Sequence, residues 1–348
     1  MAKNENKSFV KLKNDIKNNT LQKLYVFMGE ETYLRDRYAK IILNMIDDAG
    51  FEEFNRIVVE NGKDALSDLP EILEGFPMMT DKRVICIRDS GVFKRADKED
   101  VSDTKKAVSE AKDYLCEFFK HLSDDSVIIF VENEVDKRNS VYKAAAKYGE
   151  IVEFMPLPAS DTIAWLIREA KAHNLDITHT NAEYILTICD NTLGSLSNEI
   201  EKLSGFCDKE ITKSDIDRLV SKSLQVIVFD LCDHLTARNA DKALSLLSDL
   251  KTVKEPAFKI LYLLFSTFDR ILTVKIMMTS GSPNSEIASK LKIPPFIVGK
   301  YTKSASDFSF EQLTSLITAV AEYDLKIKEG KIDDWTALEQ YICDYFSK

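Results

Sequence analysis

KLYVFMGEETYLRDR, residues 23–37, opens with an apolar, β-rich run, turns at Gly29, Glu30 and Glu31, and continues with helical character. The run Leu24–Met28 is too apolar to leave one face in water, as expected of a strand covered on both sides. Four further runs follow at intervals: NRIVVE (55–60), RVICIR (83–88), SVIIFVE (126–132) and EIVEF (150–154). Longer stretches of helical period separate them, giving a βαβαβαβαβ order that predicts a parallel sheet with helices on both faces.

This α/β domain is assigned to residues 1–156. Within it, 89–113 is charged and reads as a surface loop leading into a helix. Beyond Pro156 and Pro158 the strand signals stop. Helical patterns take over, with cap-like starts at Ser160 or Asp161, Thr180 and Thr192 and a capping-box pattern at Thr212 and Asp215. They define a small helical domain over 157–222, followed by an all-α domain over 223–348 whose helix 256–279 is apolar on nearly every side. Such a helix is buried by neighbours or by other subunits.

The 348 residues carry 47 Lys+Arg, 57 Asp+Glu and only 11 Gly and 8 Pro, a composition that fits a helix-rich globular protein and excludes a disordered or collagenous one. The net charge of −10 is spread without any strongly basic segment, so contact with nucleic acid by this chain alone is expected to be weak. The polar N-terminus lacks an export signal, no apolar run is long enough to span a bilayer, and six scattered cysteines form no CxxC pair. A cytoplasmic protein with reduced thiols is the expectation.

The search for chemistry is mostly negative. A phosphate-cradling loop needs glycines and a Lys-Ser/Thr pair. The position after the first strand offers Gly29, Glu30 and Glu31, whose carboxylates would repel a triphosphate, and no lysine follows. His121, His173, His179 and His234 form no metal-binding or catalytic spacing and read as surface or helix-end residues. Asp124 and Asp125 read as a turn, and Gly194-Ser195-Leu196-Ser197 lacks the second glycine of a nucleophile elbow. No catalytic residue, metal site or cofactor is expected. One segment, 284–303, resembles a helix-turn-helix, with Ile287, Ala288 and Leu291 inward and a second helix from Pro295. Its outward residues Gly299, Lys300, Thr302 and Lys303 are poor readers of base edges. A DNA-binding regulator built on this segment is the rival reading.

Three stretches together resemble the delta subunit of the bacterial DNA polymerase III clamp loader. Lys23–Arg37 looks like that family's strand, Gly-Glu-Glu and aromatic-Leu signature. Asn191-Thr-Leu-Gly-Ser-Leu-Ser-Asn-Glu-Ile-Glu-Lys-Leu203 is similar to its Gly-Asp-Leu-x-x-Leu-x-Asn-Glu-x-x-Lys-Leu stretch, and Asp324-Leu-Lys-Ile-Lys-Glu-Gly330 to its Asp-x-x-Ile-Lys-x-Gly. In plain sequence terms, Asn198, Glu199, Lys202 and Leu203 also read as a helix with exposed charges and one core leucine. Asp324 and Lys328 are an i,i+4 pair that would support any helix.

The resemblance implies an AAA+-like α/β domain, a small helical lid and a helical collar joining a heteropentamer. It implies a subunit that does not bind ATP, grips the sliding clamp (the beta subunit) and helps open it while neighbouring ATPase motor subunits hydrolyse ATP. Delta prime and, within the complex only, primed DNA would be the other partners. The family grips its clamp through an apolar pair just before the third strand, commonly Leu-Phe or Phe-Phe. In GFPMMTDKR, residues 75–83, that pair falls on Met78 and Met79, with Phe76 beside them. Methionine keeps the anchor apolar but softer in shape. The alternative is that these three residues cap the core beneath strand 83–88.

Overall fold

The computed structural model describes residues 7–46, 50–95 and 102–347. These fall into two compact units, the first ending at Leu157 and the second beginning at Pro158.

In the first unit, α1 (Lys7–Asn18) precedes β1 (Leu24–Met28) and α2 (Thr32–Met45). A short α3 (Glu52–Asn55) leads into β2 (Arg56–Val59), followed by α4 (Leu69–Glu74) and β3 (Arg83–Arg88). Then come α5 (Ser102–Phe118), β4 (Ser126–Val131), α6 (Ser140–Tyr148) and β5 (Glu150–Glu153). All five strands run parallel in the order β2-β3-β4-β1-β5. The expected parallel α/β domain is observed. Its most apolar strands, β1 and β4, are central and wholly buried, whereas β2 and β5 form the edges and are only partly covered.

Successive residues of β1 face opposite layers. Leu24 and Val26 join Ile85, Ile87, Ile128 and Phe130 in a core with residues of α4, α5 and α6. Tyr25 and Phe27 point the other way, and Phe27 meets Phe154 edge-on, as does Phe9 of α1. The segment read as a surface loop is partly core: Val92 and Phe93 are fully buried, Phe93 edge-on to Phe130. Two adjacent apolar residues among many charges gave no periodic signal. Positions 96–101 of that segment lie outside the described residues.

The second unit begins with α7 (Ala159–Ala172), α8 (His179–Ile188), α9 (Leu193–Ser204) and α10 (Lys213–Leu219). Thr192 caps α9, and Thr212 with Asp215 forms the capping box of α10. The cap of α8 is Thr178 rather than Thr180, so that helix starts earlier than its apolar pattern does. Strand structure does not stop entirely: β6 (Asp176–Ile177) and β7 (Glu210–Ile211) pair in parallel. Two-residue strands are too short for an alternation pattern.

Seven helices follow: α11 (Leu224–Thr236), α12 (Ala240–Thr252), α13 (Ala257–Thr279), α14 (Asn284–Leu291), α15 (Pro295–Asp307), α16 (Phe310–Lys328) and α17 (Asp334–Ser347). The helix α13 is central, packing against α11, α15, α16 and α17 through Ile260, Leu264, Phe268, Ile271 and Val274. Its other side is not covered among the described residues. Phe258 and Tyr262, one turn apart, are each 67% exposed.

The charges of α9 do more than solvate a helix. The Glu199 carboxylate pairs with Lys202 at 2.7 Å and accepts the Ser221 N–H at 3.3 Å, while Lys202 donates to Ser221 Oγ at 3.0 Å. The Ser223 N–H meanwhile donates to Ile188 O at 2.8 Å. The connector between α10 and α11 is therefore held from α8 and α9. Leu203 is buried, and Asp324 and Lys328 form their expected i,i+4 pair at 2.5 Å.

Candidate functional site

Two places in the first unit bear on function: the loop between α4 and β3, and the carboxyl ends of the central strands.

The loop begins where α4 stops. Arg83, 2% exposed, donates from Nη1 to Ile72 O (3.1 Å), from Nη2 to Leu73 O (2.6 Å) and from Nε to Ser126 Oγ (3.2 Å). One guanidinium thus satisfies carbonyls left open at a helix end. Gly75 makes room for it, since a Cβ there would lie 2.6 Å from Arg83 Nη1. The chain then passes through Phe76, Pro77, Met78 and Met79 before β3. Phe76 is 81% and Met79 80% exposed, and Met78 is 40% exposed. These three residues do not cap the core. Met79 holds a φ of +60°, a left-handed conformation that costs a residue with a Cβ about 1–2 kcal/mol. The loop thus holds an apolar side chain outward at a conformational cost.

The carboxyl ends of β1, β3 and β4 are where an open α/β sheet binds its ligand. Here protein groups fill that place. Only Gly29, Glu30 and Glu31 separate β1 from α2. Gly29 has φ +115° and passes so close to the backbone of Phe154 that an added Cβ would sit 2.2 Å from its carbonyl oxygen. The Glu31 N–H donates to Phe154 O at 3.1 Å, so this amide is turned to protein instead of phosphate. Burial raises the Glu31 carboxyl above its ordinary pKa, partly offset by hydrogen bonds from the Tyr33 and Leu34 backbones.

From the next turn of α2, Arg35 reaches across the strand ends. It is 5% exposed and donates from Nη1 to Glu132 O (2.9 Å) and from Nη2 to Asn133 Oδ1 (2.6 Å). Asn133 in turn donates from Nδ2 to Asp89 Oδ1 at 2.6 Å. A buried guanidinium, an exposed amide and a carboxylate thus link the ends of β1, β3 and β4. Arg35 lies inside the stretch that decides the fold, but nothing local shows which distant acceptors a helix arginine will meet.

Three family models match this architecture in order. "DNA polymerase III, delta subunit" matches residues 25–155, a middle-domain model 159–218, and "DNA polymerase III delta subunit, C-terminal domain" 225–345. The two delta models together span most of the chain. The chain belongs to the DNA polymerase III delta subunit family. It is similar to DNA polymerase III subunit delta of Bacillus subtilis, 27% identical over 337 residues that cover 96% of this chain and 95% of the relative. It is also similar to a probable DNA polymerase III subunit delta of Aquifex aeolicus, 23% identical over 220 residues, 61% of this chain and 63% of that one. Among solved structures, the Bacillus subtilis DNA clamp loader delta protein superposes with a TM-score of 0.60 at 26% identity, covering 97% of this chain and 99% of that one.

As a delta-family member the chain is a clamp-loader component, of a family that generally lacks catalytic activity. The remaining sequence candidates agree with structural roles. His121 ends a 3₁₀ turn, His173 caps α7, His179 opens α8 and His234 lies in the last turn of α11. Ser195 is in the first turn of α9, donating its N–H to Thr192 Oγ1. Among the described residues no cluster of three His, Cys, Asp or Glu side chains is arranged to hold a metal ion. No described helix is long and apolar enough to cross a membrane.

The helix-turn-helix-like segment forms as α14 and α15, with Ile287 and Ala288 buried and Leu291 partly buried. Lys300, however, pairs with Asp230 at 3.6 Å and lies 4.1 Å from the ring centre of Phe229, so one of the four lysines is engaged within the fold.

Two expectations follow from the filled strand ends. Calorimetric titration with Mg-ATP should give no micromolar binding, because the turn after β1 presents two carboxylates and its closest amide is taken by Phe154. Heat of binding at that level would overturn this reading. The second concerns Glu132, fully buried, with Oε1 accepting the Ser90 N–H (3.0 Å) and Oγ–H, and Oε2 unpaired among the described residues. Burial pushes its carboxyl from 4.5 up to about 7, against the pull of the hydrogen bonds from Ser90 and Gly91. Between those pH values the folded protein retains a proton that the unfolded chain has released. Stability should therefore fall as pH rises through that window and level off above it, by an amount on the order of 3 kcal/mol. In urea unfolding, wild type should lose stability relative to Glu132→Gln, whose neutral amide cannot ionise, as pH rises over that range. A pH-independent difference would show that Glu132 ionises normally.

Proposed function

We propose that this chain is the clamp-gripping subunit of its loader, inserting Met79 and Phe76, with Met78 behind them, into an apolar pocket on the sliding clamp and helping to open one clamp interface. The observation that carries the reading is the pinned loop between α4 and β3, which holds two large apolar side chains about four-fifths exposed. Interface energy concentrates in a few such anchors. The filled strand ends support a division of labour in which neighbouring motor subunits bind and hydrolyse ATP and this chain performs no chemistry. Three domains are proposed, the α/β domain to 156, a helical lid over 157–222 and a collar over 223–348. The collar joins a heteropentamer with the motor subunits and delta prime. Primed DNA is met only within that complex, in the cytoplasm.

Replacing Met78 and Met79 together by Ala should weaken clamp binding by about 2–4 kcal/mol, at least about thirtyfold, since Met79 has nearly its whole side chain to bury and Met78 somewhat less. The free variant should melt within a few degrees of wild type, because truncating exposed side chains leaves no cavity. Unchanged affinity in surface plasmon resonance would end the clamp reading.

The uncovered side of α13 is proposed as part of the collar contact. Changing Phe258 and Tyr262 to Glu in the full chain should reduce co-elution with the other loader subunits at least about tenfold, while circular dichroism of the free chain stays unchanged. Undiminished assembly would place the contact elsewhere.

A further inference from the structure

The side chain that sets the anchor loop is remote from it in sequence. Asn55, the last residue of α3, is fully buried, yet its amide group faces the backbone of Met78 across a gap of 23 positions. Asn55 Nδ2–H donates to Met78 O at 2.8 Å, and Asn55 Oδ1 accepts the Met78 N–H at 2.7 Å. Both polar groups of one loop residue are thus satisfied by one side chain, as a neighbouring strand would satisfy them.

Fixing both groups of Met78 orients its peptide planes, and so the point from which Met79 enters its left-handed turn. At the other end of the loop, Arg83 ties down the last turn of α4, so Phe76 and Met79 flank a stretch held at two points. Released from Asn55, the chain between Gly75 and β3 could relax Met79 to a commoner conformation and fold apolar side chains back onto the domain. A partner would then have to order the loop on binding, and that ordering lowers affinity.

We infer that Asn55 is a positioning residue for clamp binding: it touches no partner and acts by holding Met78 so that Met79 and Phe76 are presented ready to dock. The inference rests on the clamp reading, and the experiment separates the two. Clamp affinity and thermal unfolding are measured for wild type, Asn55→Ala, Met78→Ala/Met79→Ala, and the three changes combined, at a temperature where every variant is folded. Asn55→Ala is expected to weaken the clamp complex about tenfold or more in the wild-type background and less than about twofold once both methionines are gone. A general loss of folding would act equally in both backgrounds.

Should Asn55→Ala fail to fold, hydrogen exchange on the wild-type chain still tests the clip. The Met78 amide is expected to be protected well beyond the exposed amides of the same loop, and its exchange at their rate would overturn the inference. Unchanged affinity of Asn55→Ala, or an equal loss in both backgrounds, would overturn it while leaving the methionine anchor standing. Full affinity of Met78→Ala/Met79→Ala would remove the clamp reading and this inference together.

Discussion

The close passage of Gly29 over the carbonyl of Phe154 governs the architecture of the first unit. It lets β1 turn into α2 within three residues, and the brevity of that turn puts Arg35 at the ends of the strands. A longer, glycine-rich turn would present its amides outward as an anion nest. This one presents Glu30 and Glu31 and gives the Glu31 amide to Phe154. The same Phe154 carries the aromatic contacts with Phe9, Phe27 and Tyr38, so the turn is locked into the core of its own domain.

With the strand ends closed by protein groups, the domain's outward interest shifts to the loop before β3. Two buried polar side chains, Arg83 and Asn55, serve backbone groups there instead of one another. The loop is hydrogen-bonded at both ends, and Phe76 and Met79 between them are exposed. The second unit repeats the theme with different chemistry: Glu199 and Lys202 hold the connector at Ser221, and α13 buries one side while leaving Phe258 and Tyr262 uncovered.

Much of this was legible in the chain itself. The three inner strands stand out because central parallel strands must be apolar on both faces, the edge strands β2 and β5 only as shorter β-rich runs between helical stretches, and the caps at Thr192 and Thr212 follow from local hydrogen bonding. The place of Met78 and Met79 came from a resemblance, whereas their exposure came only from the fold. The long-range partners were beyond reach. Asn55 reads as one more polar residue before a strand, Arg35 as a helix arginine, and Val92 and Phe93 as stray apolar residues in a charged segment. Each acquires its role from a contact tens of residues away, which no local pattern encodes. The short pair β6–β7 was missed for another reason, being shorter than the period that would announce it.

The left-handed backbone at Met79 sets heat tolerance against the proposed grip at a single position. Glycine adopts that conformation freely and a side chain does not. Laboratory selection for melting temperature alone would thus drift toward glycine there, sharpening the free subunit while erasing its proposed handhold.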